Sequence, residues 1–483
     1  VKTVSRRIMS NLEAVGSTGM VQNIQPQSNT GGGTATTNTY IGTSRMLQST
    51  NPREQLLGLQ TFLAMLSKGH NLAEYAGVVV PLVASTDPKV RHLALIFLEH
   101  YADDTQEIAA LCVNTYQRSL TDIDPLMRAQ SLKALSSIRS QIAAPAIFES
   151  VSQVIGDPSP FVKKAAAISM VKSSDVDPSQ IDEYIPMLER LMGDSSPITL
   201  SGVFSAFWSF DPTLIELIHP HFRSICHKLP HMDSWGQYFV LRSLTFYGRL
   251  CFKQSHEEAD ETAFWDENAQ AETISPDHLL LINAAKRCLN STNPSTVLAA
   301  TSLLFYLAPE SQLTCIARPL IRLLYRSQLT AEITLKVIAS IASVYNHVFM
   351  PHIGHFYVRE DDTRGVKIQK LSLLCVLVTQ GNVEQILKEL YFYSGSDDQE
   401  FAAASVRTMK EVALQHEGII SLCIFHLMKL LNSNGPVLNE AVFGIAQILR
   451  KRRGTDDESE SLLHLCRRFP AVKSPKAQAA ILS

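Results

Sequence analysis

Apolar side chains recur along the chain with the period of a helix. In the stretch that follows Pro88, they fall at i, i+3, i+4, i+7, i+8 and i+11, namely Val90, Leu93, Ala94, Phe97, Leu98 and Tyr101. These positions share one broad helical face, whereas Arg91, Glu99 and His100 lie away from it. No run alternates with the period of two that a half-buried strand requires. The pattern predicts an all-α fold.

Short polar turns that contain proline recur before these helices. Good copies lie at residues 86–91, 124–128 and 157–163, and looser ones at 194–197, 293–295, 434–436 and 473–475. An Asp in the turn can cap the first amides of the helix, and Pro supplies a helix-compatible φ where no amide donor is needed. Several neighbouring copies stand roughly 33–40 residues apart, the period of HEAT-type hairpins. One hairpin cannot cover its own apolar face, so the sequence predicts an α-solenoid of HEAT/armadillo-like helical hairpins.

Composition divides the chain into four parts. Residues 1–50 are predicted to be a flexible N-terminal segment, because residues 17–50 are rich in Gly, Thr, Asn, Ser and Gln. A short helix is allowed at residues 4–15. Helical repeats are expected at 51–253 and 276–483, separated by an acidic insert at 254–275. We interpret the insert as a solvated loop, and a regulatory or partner-binding role stays open.

Charge and motifs restrict the function classes. The net charge of −3 gives no basic field that would draw the chain to nucleic acid or to a membrane. The eight cysteines contain no C-x-x-C pair, and the histidines His347, His352 and His355 lack the spacing of a metal site. No nucleophile elbow, phosphate loop or dinucleotide fingerprint occurs. We therefore predict a soluble intracellular protein that is not an enzyme, with no catalytic, cofactor-binding or metal-binding residues.

Several segments resemble the N-terminal trunk of the beta adaptins. Residues 93–139 are similar to the trunk repeats of that family, residues 157–166 resemble its "DPYVRKTAA" repeat, and residues 233–237 resemble its "EWGQ" helix start. Within the family, the large beta subunits of adaptor protein complex 3 are most similar. The segments that carry this are LSSIR at 135–139, PDHLLL at 276–281 and FYVR at 356–359. Leu279 departs from the family, which usually has a basic residue there.

The resemblance implies a scaffold subunit of a heterotetrameric vesicle-coat adaptor with delta, mu and sigma chains. It implies recruitment by an Arf-family GTPase in its GTP form to Golgi and endosomal membranes and coated vesicles, where the protein would be peripheral, and sorting of transmembrane cargo towards lysosome-like organelles. It also implies a trunk end, a hinge and an ear beyond residue 483. A HEAT-repeat nuclear-transport receptor or phosphatase scaffold is the alternative; it would share the hairpins but not these segments in this order.

The resemblance further implies a GTPase-facing helix at residues 107–118. Val113 matches a family contact position, and Ala110 is smaller than the residue usual there. Helical spacing turns a second set towards the core, namely Ile108, Leu111, Cys112 and Thr115, with Tyr116 as an additional candidate. This leaves Ala110, Val113, Asn114 and Gln117 as the predicted partner-binding residues. Periodicity alone leaves it open whether Val113 is simply part of the core.

Overall fold

The computed structural model describes residues 34–102, 106–139, 141–210, 215–252, 275–415, 417–431, 435–452, 463, 465–467 and 474–482. The elements within these ranges are α-helices and short 3₁₀ segments, and no strand occurs among them. The prediction of an all-α helical-hairpin protein is confirmed. None of the described helices combines the length and the apolar composition that crossing a lipid bilayer requires.

The chain divides into two compact units, Val1–Tyr247 and Gly248–Ser483. The helices described in the first unit are α1 (Thr34–Leu47), α2 (Pro52–Ser67), α3 (Ala76–Val79), α4 (Pro88–Tyr101), α5 (Gln106–Ser119), α6 (Pro125–Leu135), α7 (Ala144–Val154), α8 (Pro160–Val176), α9 (Ile181–Met192), α10 (Pro197–Phe210) and α11 (Phe222–Lys228). Helix α12 (Ser234–Cys251) contains the division. The helices described after it are α13 (Pro276–Cys288), α14 (Pro294–Leu307), α15 (Ala317–Leu324), α16 (Gln328–Ala342), α17 (Arg364–Val376), α18 (Val383–Tyr393), α19 (Gln399–Gln415), α20 (Ile420–Leu430), α21 (Pro436–Arg452) and α22 (Pro475–Leu482).

The proline turns start helices as the sequence predicts. The Asp87 carboxylate accepts from the Lys89 amide at 2.9 Å, and the Asp124 carboxylate accepts from the Leu126 amide at 2.9 Å. Asn293 caps α14 in the same way. In the third copy the helix begins after Ser159, whose side chain makes no capping bond. Each of these helices has proline in its first turn, where the missing amide donor costs nothing.

In the first unit, α2, α4, α6, α8 and α10 pack one on the next, and α5, α7 and α9 lie beside them. The six apolar positions predicted for one face of α4 are all buried, with Val90 and Phe97 fully covered. A row of ion pairs joins successive repeats. Arg91 pairs with Asp122, Arg128 with Asp157 at 2.8 Å, and Lys163 with Asp194 at 2.9 Å. The basic residue in the first turn of one helix thus fixes the acidic turn of the next repeat.

The second unit stacks in the same manner, with α16, α17, α19, α21 and α22 in sequence. The FYVR segment lies in the connection before α17. Lys370 of α17 is buried, and its ammonium donates to the Tyr357 carbonyl at 3.0 Å and to the Asp362 carboxylate at 2.6 Å. Burial lowers the pKa of Lys370, whereas the bond to Asp362 acts in the opposite direction. This pair holds the connection against α17.

The structure corrects the prediction for part of the N-terminal segment. Residues 34–47, expected to be flexible, form helix α1, which packs on α2. Leu47 is buried, and a Cβ on Gly58 would lie 2.8 Å from a Leu47 methyl group, so the glycine allows the two helices to approach closely. The composition of residues 34–47 does not predict this helix, because its apolar pattern is weak and its stability comes from packing against α2.

The remaining boundaries stay predictions. Residues 1–33, which include the helix allowed at 4–15, lie outside the described residues. Residues 253–274, which include all of the predicted acidic insert (254–275) except Ser275, also lie outside the described residues. The Ser275 hydroxyl caps α13 by accepting from the His278 amide at 3.2 Å.

Candidate partner surface

Helix α5 contains the four predicted partner-binding residues. It packs against α6 and against the 3₁₀ segments Val80–Ala84 and Gln141–Ala143. Cys112 and Tyr116 are fully buried, as predicted, and Thr115 is half-buried. The side chains of residues 108 and 111 lie outside the described part. Helical periodicity therefore identified two buried positions of α5, whereas Thr115 is covered only as far as Val113 and Gln117, which were predicted to face outwards.

The two buried side chains described on α5, Cys112 and Tyr116, carry no charge at neutral pH. Burial raises the pKa of the Cys112 thiol to about 11 and raises the pKa of the Tyr116 hydroxyl well above its usual range. Desolvation penalises the charged form of both groups, so both stay neutral. These two side chains therefore offer no charge to a partner, and the accessible residues of α5 lie elsewhere on the helix.

The outer side of α5 brings the four predicted residues together. Positions 110, 113, 114 and 117 are spaced i, i+3, i+4 and i+7, so they follow one side of the helix. Ala110 and Asn114 are exposed, whereas Val113 and Gln117 are half-buried. We call these four residues the α5 surface. It is small and uncharged, with two aliphatic groups and two amides, and part of the Val113 side chain remains accessible.

Sequence reasoning missed an exposed apolar feature next to this surface. Ile123, in the turn between α5 and α6, is 97% exposed, and Leu126 at the start of α6 is 53% exposed. The turn is held in place because the Arg128 guanidinium donates to the carbonyls of Asp122 at 2.8 Å and Ile123 at 3.1 Å. An isoleucine between two aspartates in a turn was the available signal. It presents an apolar side chain at the C-terminal end of α5.

Other candidate chemistry is dispersed. Within the described residues, no group of three His, Cys, Asp or Glu side chains is placed to hold a metal ion. The histidines near residue 350 have separate contacts, His347 with Glu310 at 3.6 Å and His355 with the Tyr325 hydroxyl at 2.8 Å. Cys251 and Cys466 are exposed thiols, and the buried ones are Cys112, Cys226, Cys288, Cys375 and Cys423.

Comparisons with known proteins match most of the chain. A family model described as the adaptin N-terminal region matches residues 38–483. The AP-3 complex subunit beta-1 of Bos taurus is 32% identical over 454 residues, which cover 91% of this chain and 42% of that protein. The AP-3 complex subunit beta of Dictyostelium discoideum is 30% identical over 463 residues, which cover 89% of this chain and 42% of that protein. The chain thus spans about two-fifths of the length of these relatives.

The fold also matches a chain of a larger assembly. A chain of a homology model of the full-length AP-3 complex in an intermediate open conformation superposes with a TM-score of 0.59 at 22% identity. The match covers 100% of this chain and 82% of that chain. At this identity, the likeness concerns the fold.

Proposed function

Because this chain belongs to the adaptin family, whose N-terminal region it contains, we propose that it is a scaffold subunit of a heterotetrameric vesicle-coat adaptor. The match of nine-tenths of the chain to the beta subunits of the AP-3 complex carries this proposal. The scaffold would be the beta-type trunk and would take part in sorting transmembrane cargo towards lysosome-like organelles. Its partners would be delta, mu and sigma chains.

The stacked hairpins support a role in assembly. Successive helices present long surfaces from which partners can be bound, whereas function in such repeats seldom depends on one deep pocket. The absence of any catalytic motif from the sequence favours a non-enzymatic role. With a net charge of −3, the chain has no bulk attraction to an anionic bilayer. We therefore propose that it is peripheral on Golgi and endosomal membranes and that its partners bring it there.

The α5 surface is the proposed contact for an Arf-family GTPase in its GTP form. A GTPase switch region that nucleotide and magnesium have ordered presents apolar and backbone groups. Small aliphatic groups with neighbouring amides, as on the α5 surface, complement such a region. The exposed Ile123 at the end of α5 extends the apolar area towards α6.

Assembly is tested by coexpression of this chain with delta, mu and sigma chains of an AP-3 complex. The proposal predicts one species that contains all four chains and survives gel filtration. Elution of this chain apart from the other three would contradict it. Capture of Ran or of a phosphatase catalytic subunit instead would favour the alternative HEAT-repeat proteins.

The GTPase contact is tested with Val113→Asp in the assembled complex. An aspartate at this half-buried position places a charge in the contact, which costs several kcal/mol where the site is desolvated. We expect the complex to assemble but to lose GTP-dependent binding to the GTPase. Ala64→Asp, which adds the same charge at an exposed position of α2, is the matched control and should bind normally. Normal binding by a folded Val113→Asp complex would exclude α5, and misfolding would place Val113 in the core.

A further inference from the structure

A cleft of about 290 Å³ opens in the second unit between the α15–α16 turn and the connection that precedes α17. Its floor is apolar and is formed by Leu324, Ala331, Leu335 and Val366. Its rim is polar and includes Tyr325, Arg326, His355 and Arg359. The lining thus combines a small apolar area with a larger number of polar and charged side chains, and both kinds of group can contribute to binding a ligand.

Three rim side chains hold one another in place. The Tyr325 hydroxyl and the His355 Nδ1 are 2.8 Å apart, and an Arg359 Nη donates to the same hydroxyl at 3.0 Å. The Arg359 guanidinium also lies over the Tyr325 ring, 4.5 Å from its centre. The guanidinium is therefore positioned before any ligand arrives, which reduces the entropy that binding would cost.

The backbone beneath Arg359 is fixed as well. The Arg359 amide donates to the Asp362 carboxylate at 2.8 Å, which also accepts from the buried Lys370 ammonium at 2.6 Å. The Gln328 side chain donates to the Asp361 carbonyl at 3.1 Å and so joins the start of α16 to this connection. Both walls of the cleft are thus tied together by hydrogen bonds.

The charges of the rim leave a positive excess. Lys370 and Asp362 compensate each other at the base, so Arg326 and Arg359 face one remaining carboxylate, Asp361. Across residues 275–415, the Arg326 guanidinium makes no hydrogen bond or ion pair, and Arg359 directs one donor group to Tyr325. Most guanidinium donors at the rim are therefore available to an anion.

We propose that this cleft binds a small phosphate monoester whose ester group is a short apolar or aromatic stem. Two guanidinium groups, with a tyrosine hydroxyl and an imidazole beside them, offer more donors than the two oxygens of a carboxylate use, and they match the three terminal oxygens of a phosphate. The apolar floor would receive the stem. The cleft volume of about 290 Å³ lies just below the usual range of ligand sites, about 300–1,000 Å³, so the cleft suits a ligand of the size of phenyl phosphate. The inference is independent of the α5 surface, which lies in the other unit.

The test titrates phenyl phosphate into the full chain and follows binding by calorimetry. We expect saturable binding that Arg326→Gln and Arg359→Gln each weaken at least tenfold, with no effect of Arg318→Gln, an exposed arginine on α15. Benzyl alcohol, which keeps the ring without the anion, should not compete. If Arg359→Gln fails to fold, Arg326→Gln still tests the proposal. The Arg326 side chain has no partner within residues 275–415, so its replacement should not disturb folding.

Three outcomes would overturn the proposal. One is the absence of saturable binding of phenyl phosphate. Another is equal affinity in the Arg326→Gln and Arg318→Gln chains. The third is binding to vesicles that carry phosphorylated inositol lipids without any binding of phenyl phosphate, which would make the site a membrane contact.

Discussion

Replacing Gly236 by alanine tests the close packing at the start of α12. A Cβ at this position would lie 2.2 Å from the Ser201 Cβ and 2.9 Å from the Ser201 Cα on α10. The Ser201 Cα is a backbone atom and the Ser201 Cβ is fixed to it, so neither can move without its helix. The two helices would therefore have to move apart. Overpacking of this kind costs about 1–3 kcal/mol. This cost outweighs the roughly 0.5–1 kcal/mol by which alanine stabilises a helix relative to glycine.

Thermal unfolding followed by circular dichroism measures the effect. For a unit of this size, each kcal/mol lowers the melting temperature by about 2–4 °C. Gly77→Ala is the matched control because no atom lies within 4 Å of its added Cβ, and its melting temperature should be unchanged or higher. Adding Ser201→Gly removes the clashing Cβ and should restore part of the loss. A Gly236→Ala chain as stable as the native one would refute the close approach of α10 and α12.

Three further predictions concern the ion pairs and the thiols. Arg128→Ala should lower the free energy of unfolding by about 1–3 kcal/mol in urea titrations, because it leaves the mostly buried Asp157 carboxylate without its partner. Burial alone would raise the pKa of Asp157, but bonds from Arg128 and the Ser159 amide hold it below its ordinary value. The stability that the Asp157 carboxylate contributes should therefore be complete at neutral pH and be lost as the pH falls below about 4. Asp157→Asn should make the free energy of unfolding depend less on pH in this range. Burial raises the pKa of Cys288 and Cys423 to about 12 each, so a thiol reagent should modify the exposed Cys251 and Cys466 before these two in native protein, as peptide mapping would show.

Features that depend on near neighbours in sequence could be predicted. The caps at Asp87 and Asp124 follow from an acidic residue before proline, and the buried face of α4 follows from helical spacing. The same spacing predicted the burial of Cys112 and Tyr116. Each of these features is determined by residues within the first turn or on one face of a single helix.

Features that depend on distant residues could not be predicted. The Arg128–Asp157 pair joins residues 29 positions apart, and the Tyr325–His355 contact joins residues 30 apart. The exact partner of each charge is set by how the hairpins stack, which the repeat period constrains only coarsely. The cleft beside Arg359 is a product of that stacking. Helix α1 was missed for the same reason, since its stability comes from packing against α2.

The composition of the native complex tests the central claim most directly. Affinity purification of this chain at its natural level, followed by quantitative mass spectrometry, measures which polypeptides accompany it and in what ratio. A scaffold subunit of an adaptor complex predicts delta, mu and sigma chains in equimolar amounts with it. Purification with none of the three, or with a transport GTPase or phosphatase subunit in their place, would contradict the account.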